Sequence, residues 1–204
     1  MSKALRLLIV PVVLLVAGLV PRPAAANATD TVRTFYDTLL GVMQKGPTLG
    51  PKGRYDALDP VVGQTFDVAY MTRVAVGAGW DTLPKPQQDA LMTAFGHHIA
   101  ATYAERFDRF SGQKFDVTGE QPRGAGVIVD SKIVRADGTS VDIRYLMRQD
   151  GGKWRVADVY LSGTISELAT RHSEFESILE HHGVDGLITT LNQKTNMLVS
   201  APRT

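Results

Sequence analysis

Gly126 to Arg135 reads GVIVDSKIVR and Thr139 to Arg148 reads TSVDIRYLMR, with Asp137-Gly138 between them. Two alternating apolar runs joined through Asp-Gly are the strongest short-range signal for a β-hairpin, because Asp and Gly tolerate the positive φ of a tight turn. Upstream, Phe115 and Val117 alternate with polar residues from Lys114 onward. Downstream, Lys153 to Leu161 (KWRVADVYL) follows a second turn, Asp150-Gly151-Gly152. The pattern predicts a four-stranded antiparallel meander. In the third strand Val141, Ile143, Tyr145 and Met147 share one face, and Asp142, Arg144, Leu146 and Arg148 share the other, so one side is apolar and one largely wet. In the fourth strand Trp154 and Val156 fall on one face but Val159 and Leu161 on the opposite one. A bulge near Ala157-Asp158 would bring them back into phase.

The segments around this sheet have helical period. Val32, Phe35, Tyr36, Leu39, Leu40 and Met43 form one apolar stripe behind a cap at Thr29 or Asp30. Gly46 is expected to end that helix, and Gly46 to Gly53 (GPTLGPKG) to be an exposed loop. Two short helices follow, near Tyr55 to Val62 and from a cap at Asp67 to about Val76. Pro86 can open a longer helix to about Phe110, with Leu91, Phe95, Ile99, Tyr103 and Phe107 at steps of four. After the strands, Thr164 and Glu167 have capping-box spacing, Gly183 is a terminator, and Asp185 can cap a last helix. Helices, a sheet, then helices predict an α+β domain whose helices cover one sheet face.

The N-terminus reads as an export leader. Lys3 and Arg6 precede an apolar run from Leu7 to Val20, followed by small residues in Pro21 to Ala28 (PRPAAANA). The run is shorter than the ~20 residues that span a bilayer, so residues 1–28 are expected to be a signal peptide cleaved after Ala26 or Ala28. Residues 29–204 would then be one soluble exported domain. The formal charge of +1 falls to −2 once Lys3, Arg6 and Arg22 are removed, a balance that argues against nucleic acid. With no cysteine there is no disulfide framework and no thiol chemistry.

Signals for catalysis are sparse. Gly-x-Ser-x-Gly, Walker and dinucleotide-binding patterns are all missing from the sequence. His97-His98 and His181-His182 are neighbours, each pair ~100° apart on a helix, and cannot chelate as an i, i+4 pair would. His172 with Glu176 and Glu180 reads as a solvated helix face, so neither a metal nor a cofactor is expected. Asp158, in mid-strand between Ala157 and Val159, is the one acid of interest. It could serve as general base of a small isomerase or dehydratase. The commoner arrangement is a structural ion pair, and Arg171 on the following helix is the candidate partner. The apolar sheet face and the facing helices, with Phe66, Met71, Phe95, Ile99, Tyr103 and Phe107, suit either a close-packed core or a ligand cavity. Periodicity does not separate the two.

A longer comparison of residues points further. Phe66-Asp67, Gly79-Trp80, Gln87-Gln88, Ala94-Phe95 and Thr102-Tyr103-Ala104 resemble the helical half of the MlaC / toluene-tolerance auxiliary family. Tyr145-Leu146, the run from Gly152 to Val159, Ile165-Ser166, the run from Arg171 to Phe175 and the run from Gly183 to Ile188 follow that family's order and spacing. Ala157 departs from it, where the family often has an aromatic. Leu49 to Tyr55 and Thr164 to Ala169 are similar to the hopanoid-associated HpnM branch. The resemblance implies a periplasmic carrier, not an enzyme, that holds the apolar part of a phospholipid or hopanoid in an internal cavity. It would shuttle that lipid between inner-membrane transport machinery (an ABC/MCE-type complex or a hopanoid exporter) and the outer membrane. On that reading the helices supply Phe66, Met71, Val74, Phe95, Ile99, Tyr103 and Phe107 as cavity walls. The sheet supplies Val141, Ile143, Tyr145, Met147, Trp154 and Val156.

Overall fold

The computed structural model describes residues 27–200, so the leader expected over residues 1–28 lies almost wholly outside the described residues. Helix α1 (Ala28–Thr65) is capped by Asn27 rather than by Thr29 or Asp30, the Asn27 side chain accepting from the Asp30 amide at 2.7 Å. The loop expected over Gly46 to Gly53 does not form. The chain stays helical through Leu49, turns once at Gly50 (φ 68°, ψ 178°), and resumes at Pro51. That backbone conformation is accessible almost only to glycine, and proline suits the first position of the renewed helix. Tertiary contacts override the local Gly/Pro signal. A Cβ on Gly46 would sit 1.9 Å from the Asp108 carbonyl oxygen, so the backbones meet directly there. The buried Arg54 donates to the carbonyls of Ala104, at 2.7 Å, and Gly46, at 3.4 Å.

Helix α2 (Val68–Val76) begins where expected, with Asp67 accepting from the Tyr70 amide at 3.0 Å. A 3-10 turn (Gly77–Thr82) leads to α3 (Lys85–Arg106). Phe107 ends α3, and Phe110, expected inside it, is exposed.

The sheet runs β1 (Lys114–Arg123), β2 (Gly126–Val134), β3 (Ser140–Asp150), β4 (Lys153–Leu161) and β5 (Ile165–Ser166), antiparallel and in sequence order. The meander is therefore as expected, with a two-residue fifth strand added. The bulge is where strand phase required it: Leu146 faces Asp158 and Met147 faces Val156, leaving Ala157 as the extra residue. Val156, Val159 and Leu161 thus share the face of Ile143, Tyr145 and Met147, against which α1, α3 and α4 (Glu167–Ser200, kinked at Gly183) pack.

The link from sheet to α4 corrects two expectations. Thr164 and Glu167 do not form the capping box; the Ser166 hydroxyl accepts from the Ala169 amide at 2.9 Å instead. Asp158 does not pair with Arg171. Its carboxylate accepts from the amides of Val159 (2.7 Å) and Leu168 (3.0 Å) and from the Ser166 hydroxyl (2.6 Å). These donors, two of them at a helix start, satisfy the buried charge without a guanidinium. Arg171 is held by Glu174 at 2.7 Å and Glu167 at 3.7 Å. Asp158→Ala should therefore lower unfolding free energy by about 3 kcal/mol in urea titrations. A loss below about 1 kcal/mol would show that the cap is dispensable.

Candidate functional site

Between the apolar sheet face and the helix layer the side chains do not close completely. The hollow leaves about 110 Å3 for the centre of a water molecule, and about 750 Å3 of atom-free space when its open mouth is included. Its floor and walls come from every layer. Ile143 and Tyr145 of β3, Val159 and Leu161 of β4, and Ile133 of β2 line it from the sheet. Phe66, at the end of α1, and Met71 of α2 also line it, as do Glu167, Leu168 and Arg171 from the start of α4.

Helix α3 contributes most. Phe95, Ile99 and Tyr103, with Phe107 at its end, present one apolar row, and His98, Thr102 and Arg106 present a second row beside it. Both rows follow the step of four that keeps residues on one helical face. Aromatic rings brace the apolar row: Tyr103 meets Phe35 (5.2 Å between centroids) and Phe66 (5.6 Å), and stacks on Phe107 at 5.8 Å. Burial pushes the Tyr103 and Tyr145 phenols up, so both are neutral at ordinary pH.

The expected walls thus divide. Phe66, Met71, Phe95, Ile99, Tyr103, Phe107, Ile143 and Tyr145 are brought together around the hollow. Met147 and Val156 are fully buried on the same sheet face but lie in solid core away from it. Val141 and Trp154, half-buried, pack against that core without reaching the hollow. Val74 points away, 38% exposed, beside a separate surface cleft that also holds Asp158, Tyr160 and His172. In α2 it is Met71, Thr72, Ala75 and Val76 that turn inward. His98, Thr102 and Arg106 were not expected in the site. Their i, i+4, i+8 spacing is visible in the sequence, but nothing there marks a polar row as facing inward.

The mouth is charged yet nearly balanced. Arg106 stands there with Arg171, whose guanidinium already sits between Glu167 and Glu174. Behind them His98 is 6% exposed, and its Nδ1 is sealed from solvent with no hydrogen-bond partner. Among the described residues no cluster of three or more His, Asp or Glu side chains converges to hold a metal ion.

The sequence model of the MlaC protein family matches residues 33–193. The chain belongs to the MlaC family. It is 24% identical over 135 residues to the intermembrane phospholipid transport system binding protein MlaC of Haemophilus influenzae, a match covering 64% of this chain and 63% of that protein. Its fold is shared with a phospholipid-binding protein from Ralstonia solanacearum, solved in complex with a phospholipid, at a TM-score of 0.74 and 23% identity. That superposition covers 86% of this chain and all of the other, so the two share one α+β architecture.

Burial lowers the His98 imidazole from 6.5 to about 4, with Arg171 and Lys194 of α4 acting in the same direction and Glu174 opposing. The unfolded chain takes up this proton below about pH 6.5, whereas the folded chain resists until about pH 4. The stability that depends on neutral His98 is therefore complete above that window and lost as pH falls through it, by about 3 kcal/mol. Urea titrations between pH 7 and pH 4 should show this loss in the wild type and a curve flatter by that amount in His98→Phe. Equal slopes for the two proteins would contradict it.

Proposed function

We propose that this protein is an exported lipid carrier, which holds the apolar tails of a membrane lipid in the hollow between sheet and helices. The observation that carries this reading is the hollow itself. Phe66, Phe95, Ile99, Tyr103, Ile143 and Tyr145 enclose a space that close packing would otherwise fill, and its single charged end suits a head group left near water. Transfer of apolar groups from water supplies the affinity, at ~0.8 kcal/mol per buried methylene. The space is narrow, so a complete tail enters only as α3 and α4 part from the sheet. No chemistry is needed. The general-base reading of Asp158 has less support, because its oxygens are occupied by amides and a hydroxyl and it opens onto the other cleft.

The name of the Haemophilus relative and the phospholipid in the Ralstonia structure favour a phospholipid as cargo. Passage between an inner-membrane transport complex and the outer membrane follows on the same reading, as does a periplasmic location after removal of residues 1–28. The narrower assignment is the hopanoid-associated branch, with a hopanoid as cargo and a hopanoid exporter as donor. It is supported by the stretches Leu49 to Tyr55 and Thr164 to Ala169.

Native mass spectrometry of protein purified without detergent should show near one lipid per chain, and extraction of that lipid would separate phospholipid from hopanoid. Ile143→Trp, which fills the hollow, should reduce occupancy to a small fraction while leaving the circular dichroism unchanged. Met147→Trp, placed in solid core, should instead destabilise the fold by about 1–3 kcal/mol. A clean apo mass for the wild type, unchanged after incubation with phospholipid vesicles, would end the carrier reading.

A further inference from the structure

His98 stands out among the groups around the hollow. Buried polar atoms are almost always hydrogen-bonded, and one that is not needs a reason. His98 is 6% exposed, its Nδ1 has no partner, and its ring belongs to the lining. Thr102, one turn further along α3, does not bond to Nδ1; its hydroxyl donates to the His98 carbonyl at 2.8 Å. With Nδ1 sealed and unpartnered, no bond there fixes the tautomer, and a proton carried on Nε2 leaves an N–H free to donate.

Position and charge narrow what such a donor would meet. His98 lies beside the apolar row of Phe95, Ile99 and Tyr103 and within electrostatic reach of Arg171 on α4, while Arg106 stands two turns further along α3. In a diacyl lipid the groups at the junction of tail and head are the ester carbonyls, which accept hydrogen bonds. A phosphate is a poorer fit at this depth. Arg171 is already held by two carboxylates, and the imidazole is neutral. We infer that His98 is a specificity-determining residue, whose imidazole N–H donates a hydrogen bond to an ester carbonyl of the bound lipid. The inference rests on the lipid-carrier reading and adds a preference that apolar burial alone would not produce.

The preference is measurable on the wild type. Delipidated protein is offered ester-linked dipalmitoyl phosphatidylcholine in competition with its ether-linked dihexadecyl analogue, and occupancy is read by native mass spectrometry. The two differ mainly at the carbonyls. The wild type should favour the ester by roughly fivefold to tenfold, the scale of one hydrogen bond. His98→Phe, which keeps a ring and removes the donor, should bring the ratio close to one, chiefly by weakening the ester lipid; His98→Gln, which restores an N–H, should recover part of it. Equal binding of both lipids by the wild type would overturn the inference and leave the carrier reading standing. A His98→Phe protein with the wild-type preference would overturn it as well. Binding of neither lipid would overturn both readings.

Discussion

Ala157 is the extra residue across the β3–β4 ladder, and much of the molecule follows from that insertion. A regular strand would alternate faces through KWRVADVYL and send Val159 and Leu161 to the wet side. The inserted residue shifts the phase, so Val156 stays opposite Met147 in solid core while Val159 and Leu161 turn to the hollow beside Tyr145 and Ile143. The same shift sets Asp158 opposite Leu146 and aims its carboxylate at the start of α4. There it binds the Leu168 amide and the Ser166 hydroxyl, satisfying donors that a helix start leaves unpaired. One bulge therefore shapes the lining and anchors the helix that carries Leu168 and Arg171 to the mouth.

Helix α3 shows how such a hollow can be both greasy and selective. Its apolar row supplies contact area, which is indifferent to what kind of amphiphile fills it. The parallel row of His98, Thr102 and Arg106 grades from a neutral buried ring to a charge at the mouth. An imidazole nitrogen without a partner costs on the order of 1–3 kcal/mol in a folded domain.

Much of this was legible from residue order. The Asp137-Gly138 hairpin, the alternation in β3, the bulge, the Asp67 cap and the Gly183 break all rest on local chemistry, and local chemistry is what a sequence displays. The misses have one cause, which is information held in tertiary contacts. The glycines and prolines from Gly46 to Gly53 read as a loop, yet direct packing of Gly46 on Asp108 and the bonds of Arg54 keep the segment helical. Asp158 suggested an ion pair because a buried charge needs a partner, and the donors it found are backbone amides that every residue carries. The sheet walls were read one face at a time. The hollow occupies only one end of that face, so Met147, Val156, Trp154 and Val141 were placed on the right side of the sheet and away from the cavity. In α2, Met71 and Val74 are three apart, close enough to share a broad stripe, and only the surrounding helices decide which of them faces inward.

A chain without cysteine has to keep a hollow open by packing alone, although collapse would bury the same apolar atoms in a smaller volume. Rigid side chains resist that collapse. Phe35 of α1 sits edge-on to Phe66 at 5.4 Å and to Tyr103 at 5.2 Å, and Phe107 links Tyr103 to Phe115 of β1. Aromatic side chains have only two side-chain torsions, and edge-to-face pairs add about 0.5–1.5 kcal/mol each beyond area burial. The ring network thus spans helix, helix end and strand as a set of props at one wall. Tyr36 fixes the neighbouring corner by pairing with the buried Ser131 hydroxyl at 2.7 Å, which in turn donates to the Ile143 carbonyl at 2.8 Å. The opposite wall, where α4 meets α3 over His98, has fewer such rings, with Phe95 against Phe175 as its main pair. The hollow is therefore braced by rings chiefly on the side of α1 and β1, and by the broad seam between α3 and α4 on the other.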